Sequence, residues 1–170
     1  MFFTLEKLER NTKQLKDLRY RERMEIPSFD ASTPEEEPVG KRPESVVYTG
    51  TLKKGDFWIG RGTYLWIRQS VEIPAEWVGK KIAGLFNMGK TGEGLNSGFE
   101  GLIYVNGSPY CETGSYHEEV IFPSELAGTK VELAIRLWAG LEGGGVPTQQ
   151  THQFKQAELA VLDEVADDFY

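Results

Sequence analysis

Short runs of apolar or alternating residues dominate the chain from Val46 onward. In the clearest run the odd positions are large aliphatic residues and the even positions are small or charged: Val131, Leu133, Ile135 and Leu137 against Glu132, Ala134 and Arg136. A period of two is the pattern of a strand with one buried face. This segment is therefore predicted to be a half-buried strand.

Further apolar runs follow one another at short spacing, with glycine-containing turns between several of them. The runs lie at 46–48, 57–59, 64–73, 82–86, 99–105, 120–122, 131–138 and 154–162. Short strands separated in this way are typical of sandwich architectures. We predict an all-β domain over residues 46–163, a jelly-roll or galactose-binding-like β-sandwich.

The N-terminal segment has a helical period instead. Leu5, Leu8, Leu15 and Leu18 fall on one side of a helical wheel, and most charged residues fall elsewhere. This pattern predicts an amphipathic N-terminal helix of about four turns within residues 1–26. Because isolated helices of this length are marginal in water, the helix is expected to need a partner surface.

Residues 27–45 are predicted to form an extended linker or arm. Four prolines and the acidic run 35–37 punctuate this segment, which disfavours a helix or a central strand. Phe29 and Val39 are the residues expected to anchor the arm on the body.

The last residues of the chain, 164–170, are predicted to open a connector helix. Asp163, Glu164, Asp167 and Asp168 are clustered there, and acidic residues are favourable in the first turn of a helix. In this interpretation the chain is one domain of a longer protein.

Charge and cysteine usage exclude several function classes. The formal net charge of -7 disfavours nucleic acid and anionic membranes as partners. The single cysteine, Cys111, excludes an internal disulfide and favours a reducing, cytoplasmic location. No apolar stretch of about 18 residues and no signal-peptide pattern is present.

One segment, residues 84–91, fits the phosphate-binding pattern G-x-x-x-x-G-K-[ST]. A working phosphate loop is followed by a helix whose amides hold the phosphate. Here Gly92, Gly94 and Gly98 follow Thr91 and cannot propagate a helix. The favoured interpretation is a β-turn after a strand.

No catalytic residue, metal ligand or cofactor is predicted within this chain. A metal site needs three or four converging ligands, whereas His117 and His152 are the only histidines and Cys111 stands alone. Pairs of glutamates suit glycoside hydrolysis, but spacing singles out none of them, and no G-x-S-x-G elbow is present.

A glycine-rich loop after the strand at 131–138 is the candidate contact site. Glycine permits positive φ and close backbone approach, and large apolar residues there are unfavourable to leave exposed. The loop is expected to contact a second domain or a ligand, or else to be a loop tip without fixed contacts. Its residues are Trp138, Ala139, Gly140, Leu141, Glu142 and Gly143.

Three stretches of the chain, in order, resemble the N-terminal domain of glycoside hydrolase family 38 α-mannosidases of the cytosolic and bacterial branch. They are residues 66–79, which end in Ile-Pro-Ala-Glu-Trp-Val-Gly, residues 100–109, Glu-Gly-Leu-Ile-Tyr-Val-Asn-Gly-Ser-Pro, and residues 154–161, Phe-Lys-Gln-Ala-Glu-Leu-Ala-Val. In such a fold Pro74 and Trp77 are expected to close a strand and plug the sandwich. Asn106 and Gly107 are expected to form a type I′ hairpin turn. The chain departs from the family at Ala139, where relatives tend to carry asparagine.

The resemblance implies a non-catalytic N-terminal domain of an α-mannosidase. In that family a later catalytic domain supplies a divalent metal, usually zinc, and an aspartate nucleophile, and none of those motifs lies in this chain. The domain is expected to support the catalytic domain of the same polypeptide or a homo-oligomer interface.

The alternative is a carbohydrate-binding module of jelly-roll type. Such modules present exposed aromatic rings to sugars, here mannosides, and Trp58, Trp138 and Tyr116 are the candidates, although packing in the core is the commoner fate of tryptophan.

Overall fold

The computed structural model describes residues 4–36, 40–89, 98–140 and 149–170. Helices are found near the two ends of the chain, and strands occupy most of the sequence between them. The elements are α1 (Thr4–Leu18), β1 (Tyr20–Glu25), β2 (Ser28–Ser32), β3 (Tyr48–Lys53), β4 (Phe57–Gly60), β5 (Tyr64–Glu72), β6 (Ile82–Asn87), β7 (Glu100–Val105), β8 (Ser108–Gly114), β9 (Glu119–Phe122), β10 (Lys130–Trp138), β11 (Gln150–Gln153), β12 (Gln156–Leu162) and α2 (Glu164–Asp168).

The strands form two main antiparallel sheets and one small one. The larger sheet has the order β3-β2-β5-β10-β7-β8, the smaller one has the order β1-β12-β6-β9, and β11 pairs with β4. The two larger sheets enclose the hydrophobic core. The expected all-β sandwich with an N-terminal helix is therefore confirmed.

The core confirms the alternation seen in β10. Val131, Leu133, Ile135 and Leu137 are all buried in the core between the sheets. Strand β10 lies at the centre of the larger sheet and pairs with β5 along its whole length, so its inward face needs apolar side chains. Trp77, which follows β5, lies in a short 3-10 turn and is buried in the same core, as expected for a residue that plugs the sandwich.

The hairpin between β7 and β8 has the predicted turn. Asn106 has φ 50 and Gly107 has φ 78, and two positive φ values in a two-residue loop define a type I′ turn. The Oδ1 atom of Asn106 also accepts a hydrogen bond from the backbone N–H of Glu132 at 2.9 Å, which ties the turn to β10.

The N-terminal helix has about the predicted four turns but does not fill the segment 1–26. It ends at Leu18, and residues 20–25 of that segment form strand β1. Tyr20 pairs with Leu162 and Glu25 with Glu158, so β1 is an edge strand of the smaller sheet. Because most residues of β1 are charged, the segment has no alternation of apolar and polar residues that would predict a strand. Its pairing with β12 decides its conformation.

The predicted linker is also partly a strand. Residues 28–32 form β2 inside the larger sheet, between β3 and β5. Phe29 is fully buried and anchors the segment, as expected, whereas Val39 lies outside the described residues. The sandwich therefore starts well before residue 46, because the prolines flank β2 and do not interrupt it.

The two helices leave apolar side chains exposed. Helix α2 begins as predicted, with the Asp163 carboxylate accepting a hydrogen bond from the Ala166 N–H at 2.9 Å. It contacts α1. Neither helix in the described ranges is long and apolar enough to cross a lipid bilayer. The exposed apolar side chains are Leu5, Leu8 and Leu18 on α1, and Val165 and Phe169 in and just after α2.

Candidate functional site

A groove of about 640 Å³ lies on the outer face of the six-stranded sheet. Its base is set by strand register, since Trp138 on β10 lies opposite Tyr64 on β5 and Glu100 on β7. Directly opposed residues of antiparallel strands share a face. Trp138, Tyr64 and Glu100 therefore form one row across the sheet, and we call the whole depression the outer groove.

A second row of side chains gives the outer groove its charge. Arg136 lies opposite Leu102, and Leu102 lies opposite Glu112 on β8. The Arg136 guanidinium lies over the Tyr64 ring, 4.0 Å from its centroid, a distance that allows a cation–π interaction. One guanidinium and the carboxylates of Glu100 and Glu112 thus face the same groove.

The turn after β8 closes one wall of the outer groove. Ser115 Oγ accepts a hydrogen bond from the Phe99 N–H at 3.1 Å, and Thr113 Oγ1 donates to the His117 carbonyl at 3.1 Å. These bonds hold the turn in place and put Tyr116 at the surface, with 61% of its area exposed. This wall of the outer groove is therefore the Tyr116 side chain, on a turn whose backbone is held by hydrogen bonds.

The middle of the same sheet face is covered. Trp66, Tyr104 and Ala134 form a small buried cluster there, with Val46 and Tyr48 packed over it. Burial of Tyr48 raises its pKa to about 12. The outer groove lies on this face beside the covered cluster.

The predicted contact loop is only partly described. Trp138 is half-buried and lines the outer groove. Ala139 is buried, and its carbonyl lies 2.9 Å from His152 Nε2. Gly140 has φ 83, a conformation that favours glycine. Leu141, Glu142 and Gly143 lie outside the described residues.

Of the three aromatic residues predicted to face sugars, one is in the interior. Trp58 is 4% exposed and stacks on His152, so it is a core residue, and the sugar-facing alternative for this residue is wrong. It lies on the inward phase of β4, whereas the exposed residues of that strand are Phe57 and Ile59. Trp138 and Tyr116 do meet at the outer groove.

The segment 117–119 does not form a cluster of ligands. Glu118 accepts a hydrogen bond from Asn87 at 2.7 Å, and Glu119 accepts one from Arg19 at 3.0 Å. Among the described residues, no three histidine, cysteine, aspartate or glutamate side chains are grouped as metal ligands.

The first part of the phosphate-loop pattern is a strand, as the turn interpretation requires. Residues 84–87 belong to β6. A Cβ at Gly84 would meet the rings of Phe122 and Phe86, and one at Gly89 would meet the backbone of Gln153. Both glycines therefore have packing roles, while Lys90 and Thr91 lie outside the described residues.

Sequence reasoning did not identify Tyr64, Arg136 and the two glutamates as neighbours. Alternation already placed Arg136 on the face of β10 opposite to the core. The grouping with Tyr64, Glu100 and Glu112 depends on which strands are adjacent and in what register, and no local pattern contains that information.

No protein-family model matches the chain, and no curated protein matches it in sequence. Solved structures of a β-glucuronidase from Ruminococcus gnavus are similar in fold. The apo structure has a TM-score of 0.56 at 15% identity and covers 85% of this chain. The complexes with uronic isofagomine and with D-glucuronic acid give TM-scores of 0.56 and 0.54 at 16% and 14% identity, each covering 85% of this chain.

The chain spans about 30% of the length of these glycoside hydrolases. At such low identity the similarity shows the fold alone. The β-sandwich described here is therefore a fold that also occurs as one part of larger glycoside hydrolases.

Proposed function

We propose that this chain is a non-catalytic accessory domain of a glycoside hydrolase of the α-mannosidase type, and that it supports the catalytic domain. The observation that carries the proposal is the fold similarity, which covers 85% of this chain but only 30% of the β-glucuronidase chain. A sandwich of this kind thus accompanies a larger hydrolase in a known case.

The α-mannosidase part of the proposal rests on the three sequence stretches that resemble that family. Each has a defined place in the sandwich: the first completes β5 and its closing turn, the second forms most of the β7–β8 hairpin, and the third builds most of β12. The hydrolysed substrates would be terminal α-mannosyl linkages. The zinc ion and the nucleophile would belong to the catalytic domain, and the protein would be cytoplasmic.

The exposed apolar side chains of the two helices are the proposed contact with that catalytic domain. Leu5 is 75% exposed, Leu8 is 56% exposed and Phe169 is 74% exposed. Exposed apolar side chains on two helices that contact each other are unfavourable in water and favour a partner surface. The proposed partner is the rest of the enzyme, because the similar hydrolases are more than three times as long as the matched region. A second copy of the chain is the competing occupant.

The proposal is tested by assaying two proteins on aryl α-mannoside and aryl β-glucuronide with added zinc: this chain alone and the complete polypeptide that contains it. The complete polypeptide should hydrolyse the α-mannoside, and this chain alone should not hydrolyse either substrate. Turnover by this chain alone would overturn the accessory role. Hydrolysis of the β-glucuronide alone by the complete polypeptide would overturn the α-mannosidase assignment.

The support role is tested with Leu5→Gln/Leu8→Gln in the complete polypeptide. Its midpoint of thermal inactivation should fall, because apolar contact with the catalytic domain is lost. The matched control is Val47→Gln, at a residue 74% exposed and outside both helices, which should leave the midpoint unchanged. An equal midpoint for the helix variant and the parent protein, or a dimer of the isolated chain that the helix variant dissociates, would contradict the proposal.

A further inference from the structure

We infer that the outer groove binds a neutral hexopyranoside. This goes beyond the proposed function, because an accessory domain can support a catalytic domain without touching sugar. The expected ligand is a terminal α-mannosyl unit; the choice of mannose rests on the proposed function, whereas the class of ligand rests on the groove itself.

The shape of the outer groove fits a small ligand. Its volume of about 640 Å³ lies within the range of known small-molecule sites. Its base consists of strand residues whose positions are fixed by β5, β10 and β7, and sites built on strands are more precisely positioned than sites on loops.

The aromatic side chains provide surfaces for the apolar face of a sugar ring. Trp138 is half-buried at the end of β10, and Tyr116 is exposed on the adjacent turn. Aromatic rings combine a large apolar area with few rotatable bonds. A pyranose ring presents C–H groups on one face, and the indole of Trp138 is the surface assigned to it.

The charged groups of the outer groove favour a neutral ligand rich in hydroxyls. Glu100 and Glu112 are exposed, and their carboxylates accept hydrogen bonds from hydroxyl groups. The Arg136 guanidinium, held over Tyr64, lines the same groove and is of a chemical type that recognises ring and hydroxyl oxygens. Among the described lining residues, two carboxylates stand against one guanidinium, and in a chain of net charge -7 this disfavours phosphates and uronic acids.

The experiment is isothermal titration of this chain with mannobiose, with cellobiose and with glucuronate, up to about 20 mM because single-module affinities are weak. Saturable heat with mannobiose is expected, with a weaker or absent response to glucuronate. Trp138→Ala should abolish the heat, and the near-isosteric Glu112→Gln should weaken binding by about tenfold.

Matched controls separate a binding role from a folding role. Phe57→Ala removes an aromatic residue that is 61% exposed elsewhere, and Glu125→Gln removes an exposed carboxylate elsewhere; both should bind as the unchanged chain does. Circular dichroism verifies that Glu112→Gln is folded. Absence of saturable heat with mannobiose and cellobiose overturns the inference. Full binding by both groove variants, or a stronger response to glucuronate, also overturns it. None of these outcomes changes the hydrolysis assay, so the two proposals fail separately.

Discussion

Trp58 and His152 are stacked in the interior, with ring centroids 4.3 Å apart and an interplanar angle of 22°. They face each other across the β4–β11 pair. The Trp58 Nε1–H donates to the Met88 carbonyl at 2.9 Å, and His152 Nε2 lies 2.9 Å from the Ala139 carbonyl. The pair thereby ties the small sheet to the segment after β6 and to the first residues of the glycine-rich loop.

The buried histidine predicts that stability falls below neutral pH. Burial lowers the pKa of His152 from its ordinary value of 6.5, and the hydrogen bond with the Ala139 carbonyl opposes this only in part. As pH falls below 6.5, the His152 imidazole binds a proton in the unfolded chain but stays neutral in the folded chain. The free energy of unfolding should therefore decrease by up to about 1.4 kcal/mol per pH unit until the folded-state pKa is reached. Urea unfolding at about pH 7.5 and about pH 5.5 measures the change.

The control for that prediction uses the other histidine. His152→Gln should be less stable at neutral pH but should lose less stability on acidification. His117→Gln, at an exposed residue, should retain the parent pH dependence. Equal pH dependence in His152→Gln and the parent chain would show that another group is responsible.

Arg19 joins three elements, and its removal should destabilise the fold. Its Nε–H donates to Asp167 at 2.7 Å and its terminal nitrogen donates to Glu119 at 3.0 Å, with 10% of the side chain exposed. Arg19→Met leaves both carboxylates without this partner and should lower the free energy of unfolding by about 2–3 kcal/mol. Arg21→Met is the control, because the Arg21 side chain is 65% exposed and pairs with Asp163 at 2.6 Å; its effect should stay below about 1 kcal/mol. Similar losses for the two variants would contradict the role of burial.

Alanine substitutions at Gly89 and Gly55 distinguish the destabilisation caused by backbone strain from that caused by close packing. Gly89 has φ 101 and Gly55 has φ 95, so an alanine at either site is strained by about 1–2 kcal/mol. A Cβ at Gly89 would also meet the backbone of Gln153, whereas one at Gly55 has no heavy atom within 4 Å. Gly89→Ala should therefore lower the free energy of unfolding by at least about 2 kcal/mol more than Gly55→Ala. Equal values from urea unfolding would show that the approach of Gln153 is unimportant.

Cys111 should react slowly with thiol reagents in the folded chain. Burial, followed by the nearby charge of Glu112, raises its pKa from 9.0 to about 11. Because the thiolate is the reactive form, the reaction rate with a chromogenic disulfide at about pH 8 should be about a hundredfold below that of a free thiol. The rate should return to the free-thiol value in concentrated urea. Rapid labelling of the folded chain would refute the burial of this thiol.

Much of the architecture was predictable because the alternation of β10 and the turn residues Asn106 and Gly107 are local signals. The same local rules failed at β1 and β2. In β1 the residues Arg21, Glu22 and Arg23 are exposed, so the strand carries no apolar pattern. In β2 the flanking prolines signalled a linker, although pairing with β3 and β5 makes the segment a strand.

The amino-acid sequence by itself determined the class of the fold, the position of the N-terminal helix and the start of the C-terminal one, because periodicity, capping residues and turn residues act within a few residues of one another. Only the tertiary structure decided that Trp58 is interior while Trp138 and Tyr116 share a groove with Arg136 and Glu112. The order and register of strands bring these residues together, and both arise from contacts between residues far apart in the chain.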